Sequence, residues 1–163
     1  MIKGIFHINI VCREIQRSLD FYCGLLGAEI VATLGEGGLE SKELAALMGF
    51  EGAASCIGHL LRFGEKGSPA AYTTIDLVQW IRPVVTGSAY DRLNHVGMTR
   101  ICLPVDDIDA TYERLREAGV DFLSPPIDIP VRLFTEEHSW FRMCCLRDPD
   151  GVILELSMPV QRK

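Results

Sequence analysis

The sequence predicts an α+β fold of two βαβββ modules, and three observations carry that prediction. One is internal repetition: His7-Ile-Asn-Ile-Val-Cys-Arg-Glu-Ile15 and Arg100-Ile-Cys-Leu-Pro-Val-Asp-Asp-Ile108 read alike, and each leads into an amphipathic run that ends at a glycine. A repeated order of elements outweighs any local propensity as a guide to architecture. The second is periodicity, which switches from strand to helix spacing in the same order in both halves. The third is a pair of strand-like runs closing each half, separated by turn-forming residues.

Along the chain, the first strand begins at His7. Ile15, Leu19, Cys23 and Leu26 then recur at helical spacing, and Gly27 stands where a helix C-terminal glycine belongs, ahead of a strand at Gly27-Ala-Glu-Ile30. Gly35 to Ala54 interrupts the repeat with a Gly-rich start and a short helix, Ser41 to Met48; such an insertion is a lid or pocket wall, or equally a surface excursion. Ser55 to Phe63 and Ala71 to Trp80 read as strands around the turn Gly64-Glu-Lys-Gly-Ser-Pro69. In the second half Ile108, Tyr112, Leu115 and Ala118 mark the helix, Gly119 ends it, and Gly119-Val-Asp-Phe122 reads as the next strand. Trp140 to Leu146 and Val152 to Met158 form a hairpin across Asp148-Pro149-Asp150-Gly151. The expected organisation is one domain: module 1 at 1–80 with its 35–54 insertion, a connector at 81–94, and module 2 at 95–163.

Composition narrows the class. A chain of 163 residues buries roughly 70% of its unfolded surface, and 48% hydrophobic with 23% charged residues places it among globular rather than disordered chains. The net charge of −6 argues against nucleic-acid and anionic-membrane partners, which require a basic face. Cys12, Cys23, Cys56, Cys102, Cys144 and Cys145 show no CxxC spacing, so neither a zinc knuckle nor a disulfide framework is expected. With no signal-type start and no apolar run of about 18 residues, a reduced, cytoplasmic protein is expected.

Side chains on a strand alternate faces, and four strands each place one ionisable residue opposite an aliphatic face. His7 opposes Ile8 and Ile10, Asp76 opposes Ile75 and Leu77, Arg100 opposes Ile101 and Leu103, and Glu155 opposes Leu154 and Leu156. The repeat makes His7 equivalent to Arg100 and Asp76 equivalent to Glu155. If the halves form one curved mixed sheet with the helices outside, all four converge on its concave face. An imidazole and two carboxylates suit a divalent cation such as Zn, Ni, Co, Mn or Fe. Equally, Arg100 pairs with Asp76 and Glu155 as a salt-bridged cluster without metal. His95, in Asn94-His-Val-Gly97, is a candidate for ligand contact against a purely local hydrogen bond. His138 reads as a solvated turn residue, and only one of His59 and Arg62 can share the ionisable face. Trp80, Trp140, Phe141 and Tyr72 are more often core than substrate platforms. Gly35, Gly37 and Gly38 lack the Lys-Ser/Thr of a phosphate loop.

The chain resembles the vicinal oxygen chelate superfamily, which includes glyoxalase I, methylmalonyl-CoA epimerase, extradiol dioxygenases and bleomycin resistance proteins. The resembling runs are His7 through Arg17-Ser-Leu-Asp-Phe-Tyr22 to Leu26-Gly27, Val105-Asp-Asp-Ile-Asp109 to Gly119-Val-Asp-Phe122, and Arg147-Asp-Pro-Asp-Gly-Val-Ile-Leu-Glu155-Leu. The resemblance implies paired βαβββ modules forming a cup, a small-molecule ligand, commonly a divalent metal, and a homodimer. It implies His7 as the first metal ligand and Glu155 as the last. Asp76 stands where Glu or Gln is usual, and Arg100 where many members carry a second metal-binding His. A guanidinium cannot ligate a cation, which removes weight from extradiol dioxygenase chemistry. The expected activity is glyoxalase- or epimerase-like proton transfer α to a carbonyl, of lyase or isomerase type. In it Glu155 and Asp76 are catalytic, His7, Asp76 and Glu155 hold the metal, and Arg100 and His95 bind an anionic substrate. In a metal-free variant Arg100 itself stabilises the oxyanion. The alternative is a non-catalytic binding or sequestration protein of bleomycin-resistance type.

Overall fold

In a computed structural model of the chain, residues 1–35, 40–65, 73–132 and 138–161 are described. Tyr72, Gly37, Gly38 and the turn residues Lys66 to Pro69 lie outside them. The chain divides into two compact units, Met1–Gly87 and Ser88–Lys163, and the division falls within the 81–94 segment.

Unit 1 runs β1 (His7–Val11), α1 (Ile15–Leu19), β2 (Glu29–Leu34), α2 (Lys42–Met48), β3 (Ser55–Arg62) and β4 (Thr74–Arg82). Its sheet has the order β1-β4-β3-β2, with β1 parallel to β4 and the other pairs antiparallel. Glu14 caps α1 by accepting from the Gln16 and Arg17 amides. The helix continues directly into a π-helical turn, Asp20–Leu25. That turn corrects the expected core stripe. Ser18, Phe21 and Tyr22 are buried, while Ile15, Leu19, Cys23 and Leu26 are only half-buried. A π turn takes more residues per revolution than an α-helix, so a 3.6-residue period drawn through it points to the wrong face.

The insertion is closed at its neck, where Ser41 and Ala54 exchange backbone hydrogen bonds of 2.8 and 3.0 Å. Ser41 also caps α2 by accepting from the Leu44 amide. Two side-chain contacts tie the insertion to the end of β4: the Phe50 ring meets Trp80 edge-on at 5.0 Å, and Glu40 pairs with Arg82 at 2.9 Å. These contacts set the insertion against the end of the sheet. At its entrance Gly35 has φ +68°, and a Cβ there would lie 2.0 Å from the Cys56 carbonyl oxygen.

Unit 2 repeats the plan with β5 (Ile101–Pro104), α3 (Ile108–Glu117), β6 (Ile127–Arg132), β7 (His138–Arg147) and β8 (Ile153–Val160). Its order is β5-β8-β7-β6, again with the first pair parallel and the rest antiparallel. Asp107 caps α3, and Ile108 and Leu115 bury its inner face. His138 opens β7. The strand expected at Gly119–Phe122 is corrected: only Phe122 bridges there, to Leu146, and β6 begins at Ile127. Pro125 and Pro126 follow and have no N–H to extend a ladder. Asp148 shapes the final hairpin, its Oδ1 accepting from the Asp150 and Val152 amides.

In each unit the helix packs on the aliphatic face, α1 against β4 and α3 against β8. Leu61, Ile75 and Leu77 fill one core, and Cys144, Leu146, Leu154 and Leu156 the other. Arg142 on β7 locks α3 down: its Nε and Nη2 donate to Asp109 and its Nη1 to Asp128 on β6. Those carboxylates hold the guanidinium firmly charged by raising its pKa. No helix is long and apolar enough to cross a membrane among the described residues.

Two predictions follow from packing. Gly35→Ala forces both a left-handed backbone and a clash with main chain, and is expected to cost about 2 kcal/mol or more, measured by urea unfolding. Burial pushes the Cys144 thiol up to about 12 from an ordinary value of 9.0. Between those values the unfolded chain releases a proton that the folded chain keeps, so stability falls as pH rises through this window. Cys144→Ala is expected to flatten the alkaline fall of the urea midpoint; an unchanged profile refutes the assignment.

Candidate functional site

Strand register makes the two modules superimposable position by position. Asn9 pairs with Asp76 and Cys102 with Glu155 across the parallel ladders, while Leu60 pairs with Asp76 and Cys145 with Glu155 across the antiparallel ones. Asp76 and Glu155 are therefore equivalent, as are His7 and Arg100, each two residues before its strand's paired position. By the same count Arg62 is equivalent to Arg147. All of these lie on the sheet face opposite the helix, because Leu61, Ile75, Leu146 and Leu154 alternate with them.

In unit 2 the structure brings Arg100 and Glu155 together. The Arg100 Nε lies 2.7 Å from Glu155 Oε2, with side-chain exposures of 44% and 10% respectively. The carboxylate is thus nearly enclosed, and the guanidinium spans from it toward solvent. Cys145 Sγ contacts the same Oε2 at 4.0 Å, and Cys102 Sγ donates to Ser157 Oγ at 3.2 Å. Burial pushes both thiols up, and for Cys145 the nearby Glu155 charge adds to it, so both are protonated near neutrality. They act as weak S–H donors around the carboxylate rather than as nucleophiles.

In unit 1 the equivalent carboxylate is held differently. Asn9 Nδ2 donates to Asp76 Oδ2 at 3.1 Å and to the Asp76 carbonyl at 3.2 Å. Asp76 Oδ1 is buried without a hydrogen-bond partner. His7 occupies the position equivalent to Arg100 and is paired in register with Thr74; its ring packs edge-on against Phe6 at 5.6 Å. An imidazole is too short to do what the Arg100 side chain does across the same two-residue offset. Arg62 also lies on this face, bonded to Glu29 at 2.6 Å, with its Nε buried and unpartnered. Residue alternation left His59 and Arg62 undecided; His59 instead faces the Leu61 side, bonded to Thr33 Oγ1 at 3.1 Å. The Arg62 role was missed because no sequence pattern shows which polar atoms a fold leaves unpaired.

His95 lies in the loop before β5 and is exposed. Its ring stacks on Tyr90 at 4.1 Å and its Nδ1 meets the Val96 carbonyl at 2.9 Å. A carbonyl can only accept, so Nδ1 carries a hydrogen in this contact.

The residues of unit 2 do not fit a metal. Arg100 engages Glu155 Oε2, and its permanently charged guanidinium cannot ligate a cation and repels one beside it. Among the described residues no group of three or more His, Cys, Asp or Glu side chains is gathered as a metal cluster.

Comparison with known proteins matches a family model, the Glyoxalase/Bleomycin resistance protein/Dioxygenase superfamily, over residues 4–156. Comparison with curated proteins returns no match. Among solved structures, a glyoxalase family protein from Bacillus cereus is 17% identical with a TM-score of 0.76, covering 99% of this chain and 97% of that one. The trypanothione-dependent glyoxalase I of Leishmania major is 17% identical with a TM-score of 0.56, covering 94% of this chain and 85% of its own. An antibiotic-binding protein from a Streptomyces species is 22% identical with a TM-score of 0.52, covering 98% of both chains. At these identities the likeness establishes the fold.

Removing Arg100 strands an enclosed carboxylate. Arg100→Ala is expected to cost about 1–2 kcal/mol in urea unfolding, reduced from a fully buried pair because the guanidinium is half-exposed. Adding Glu155→Gln should recover most of that loss. A double-mutant cycle with coupling near zero contradicts the pairing.

Proposed function

Because the chain belongs to the glyoxalase/bleomycin resistance protein/dioxygenase superfamily, we propose that it binds a small, oxygen-rich anion without a metal, with Arg100 as the anchor. The observation that carries this reading is the Arg100 Nε contact to Glu155 Oε2 at 2.7 Å. With Nε engaged, the two Nη groups remain as a planar pair of donors at the half-exposed end of the side chain. Such a fork matches the two oxygens of a carboxylate. Glu155 fixes the fork's direction, so little rotamer freedom is lost when ligand binds. Glu155 also cancels the formal charge of Arg100, leaving recognition to directed hydrogen bonds rather than to net attraction.

Binding of this kind serves a sequestering protein outright. A second reading, proton transfer α to a carbonyl, is favoured by one observation, the unpartnered Asp76 Oδ1. A carboxylate oxygen with no donor is an available base, and Asp76 would move the proton in a glyoxalase- or epimerase-like reaction.

The test is titration of chelator-treated protein with pyruvate, malonate and inorganic phosphate, followed by NMR. Saturable binding of at least one carboxylate is expected to survive chelation and to weaken at least tenfold, about 1.4 kcal/mol, in Arg100→Ala. Binding that needs added metal, or that survives in Arg100→Ala within twofold, overturns the proposal. For the second reading, α-deuterium exchange of pyruvate in D2O is expected to stop in Asp76→Asn; exchange at the wild-type rate rules Asp76 out as the base.

A further inference from the structure

Two complementary buried atoms on one face of unit 1 have no partner: Asp76 Oδ1, which can only accept, and Arg62 Nε, which can only donate. Buried polar groups in folded proteins are nearly always paired, so an unpaired donor and acceptor on the same face are unusual. The register places the two residues as neighbours. Leu60 pairs with Asp76 and Leu61 with Ile75, so Arg62 lies one step further along, diagonal to Asp76 across β3 and β4. Diagonal neighbours of this kind are within reach of one small group. Each side chain is held by its other polar atoms, Arg62 by Glu29 through Nη2 and Asp76 by Asn9 through Oδ2. The remaining buried orphan among the described residues, Ser18 Oγ, is on α1.

Unit 2 is an internal control. There Arg147, equivalent to Arg62, uses its Nε to meet Asp121 Oδ2 at 3.3 Å, and Glu155, equivalent to Asp76, is met by Arg100. The same two positions are satisfied in one module and left open in the other. Topology therefore does not impose the vacancy.

We propose that Arg62 Nε and Asp76 Oδ1 form a subsite for a hydroxyl group of a ligand. The hydroxyl donates its hydrogen to Asp76 Oδ1 and accepts from the Arg62 Nε–H. A carbonyl or ether oxygen satisfies only Arg62, and an ammonium only Asp76; a hydroxyl satisfies both. On the same face Leu60 and Val78 neighbour Asp76, an apolar setting that favours a hydroxyl carried on carbon, as in a 2-hydroxy acid. This subsite goes beyond the Arg100 anchor and stands without it.

The test compares glycolate with acetate, which lacks the hydroxyl, reading the Arg62 Nε–H resonance by NMR. Glycolate is expected to shift that signal saturably and acetate not; Arg62→Lys keeps a cation for Glu29 but removes the Nε–H, and should abolish the difference between the two anions. Equal responses, or none to glycolate, overturn the subsite and leave an ordinary buried water as the partner. A second arm needs no ligand. If the orphans are held open for binding, the double variant Arg62→Met with Asp76→Leu melts about 2–4 °C higher than the wild type. A lower melting temperature makes the pair structural and refutes the proposal. The subsite is read at Arg62 and the anchor at Arg100, so the two readings fail separately.

Discussion

A carboxylate placed inside a sheet has to be met by donors, and in both modules the parallel ladder between first and last strands decides which ones are available. The residue paired directly with the carboxylate is Asn9 in one unit and Cys102 in the other. The residue two positions earlier is His7 or Arg100. Only the arginine spans the offset, so Glu155 becomes one half of an ion pair and Asp76 keeps an idle oxygen. Differences at these three equivalent positions thus separate a closed electrostatic unit from an open one. The different chemistries proposed for the two sheet faces descend from that difference.

Repetition was the most legible property of the chain. The order of elements along the chain, the equivalence of His7 with Arg100 and of Asp76 with Glu155, the short helix from Ser41 and the Asp148–Gly151 turn can all be read from residue spacing, because alternation and turn chemistry are local rules. Two errors share one origin. The π turn after Leu19 and the proline pair after Leu123 break a period that spacing arguments assume to be continuous, so Phe21 and Tyr22 take the core positions expected of Cys23 and Leu26, and β6 starts beyond Phe122.

The site was legible in part. That Arg100 would pair with a carboxylate followed from its charge and from the aliphatic residues alternating with it. Which atoms would be left over did not follow, because it depends on whether Glu29 meets Arg62 through Nη2 or through Nε, a matter of side-chain torsion that sequence does not encode. Cysteine chemistry behaves similarly. The six cysteines show neither metal nor disulfide spacing, and burial raises the pKa of Cys102, Cys144 and Cys145, leaving them as packing and weak donor groups.

The neck of the insertion has an evolutionary consequence. Ser41 and Ala54 close the segment on itself before the chain re-enters β3. Whatever is spliced between them is insulated from the pairing of β2 with β3, since neither strand has to change length or register to accommodate it. Phe50 nevertheless reaches Trp80 at the end of the sheet. A lineage can therefore exchange the contents of this loop wholesale and retune one wall of the unit while leaving its scaffold untouched, which makes the segment a natural graft point for diversification.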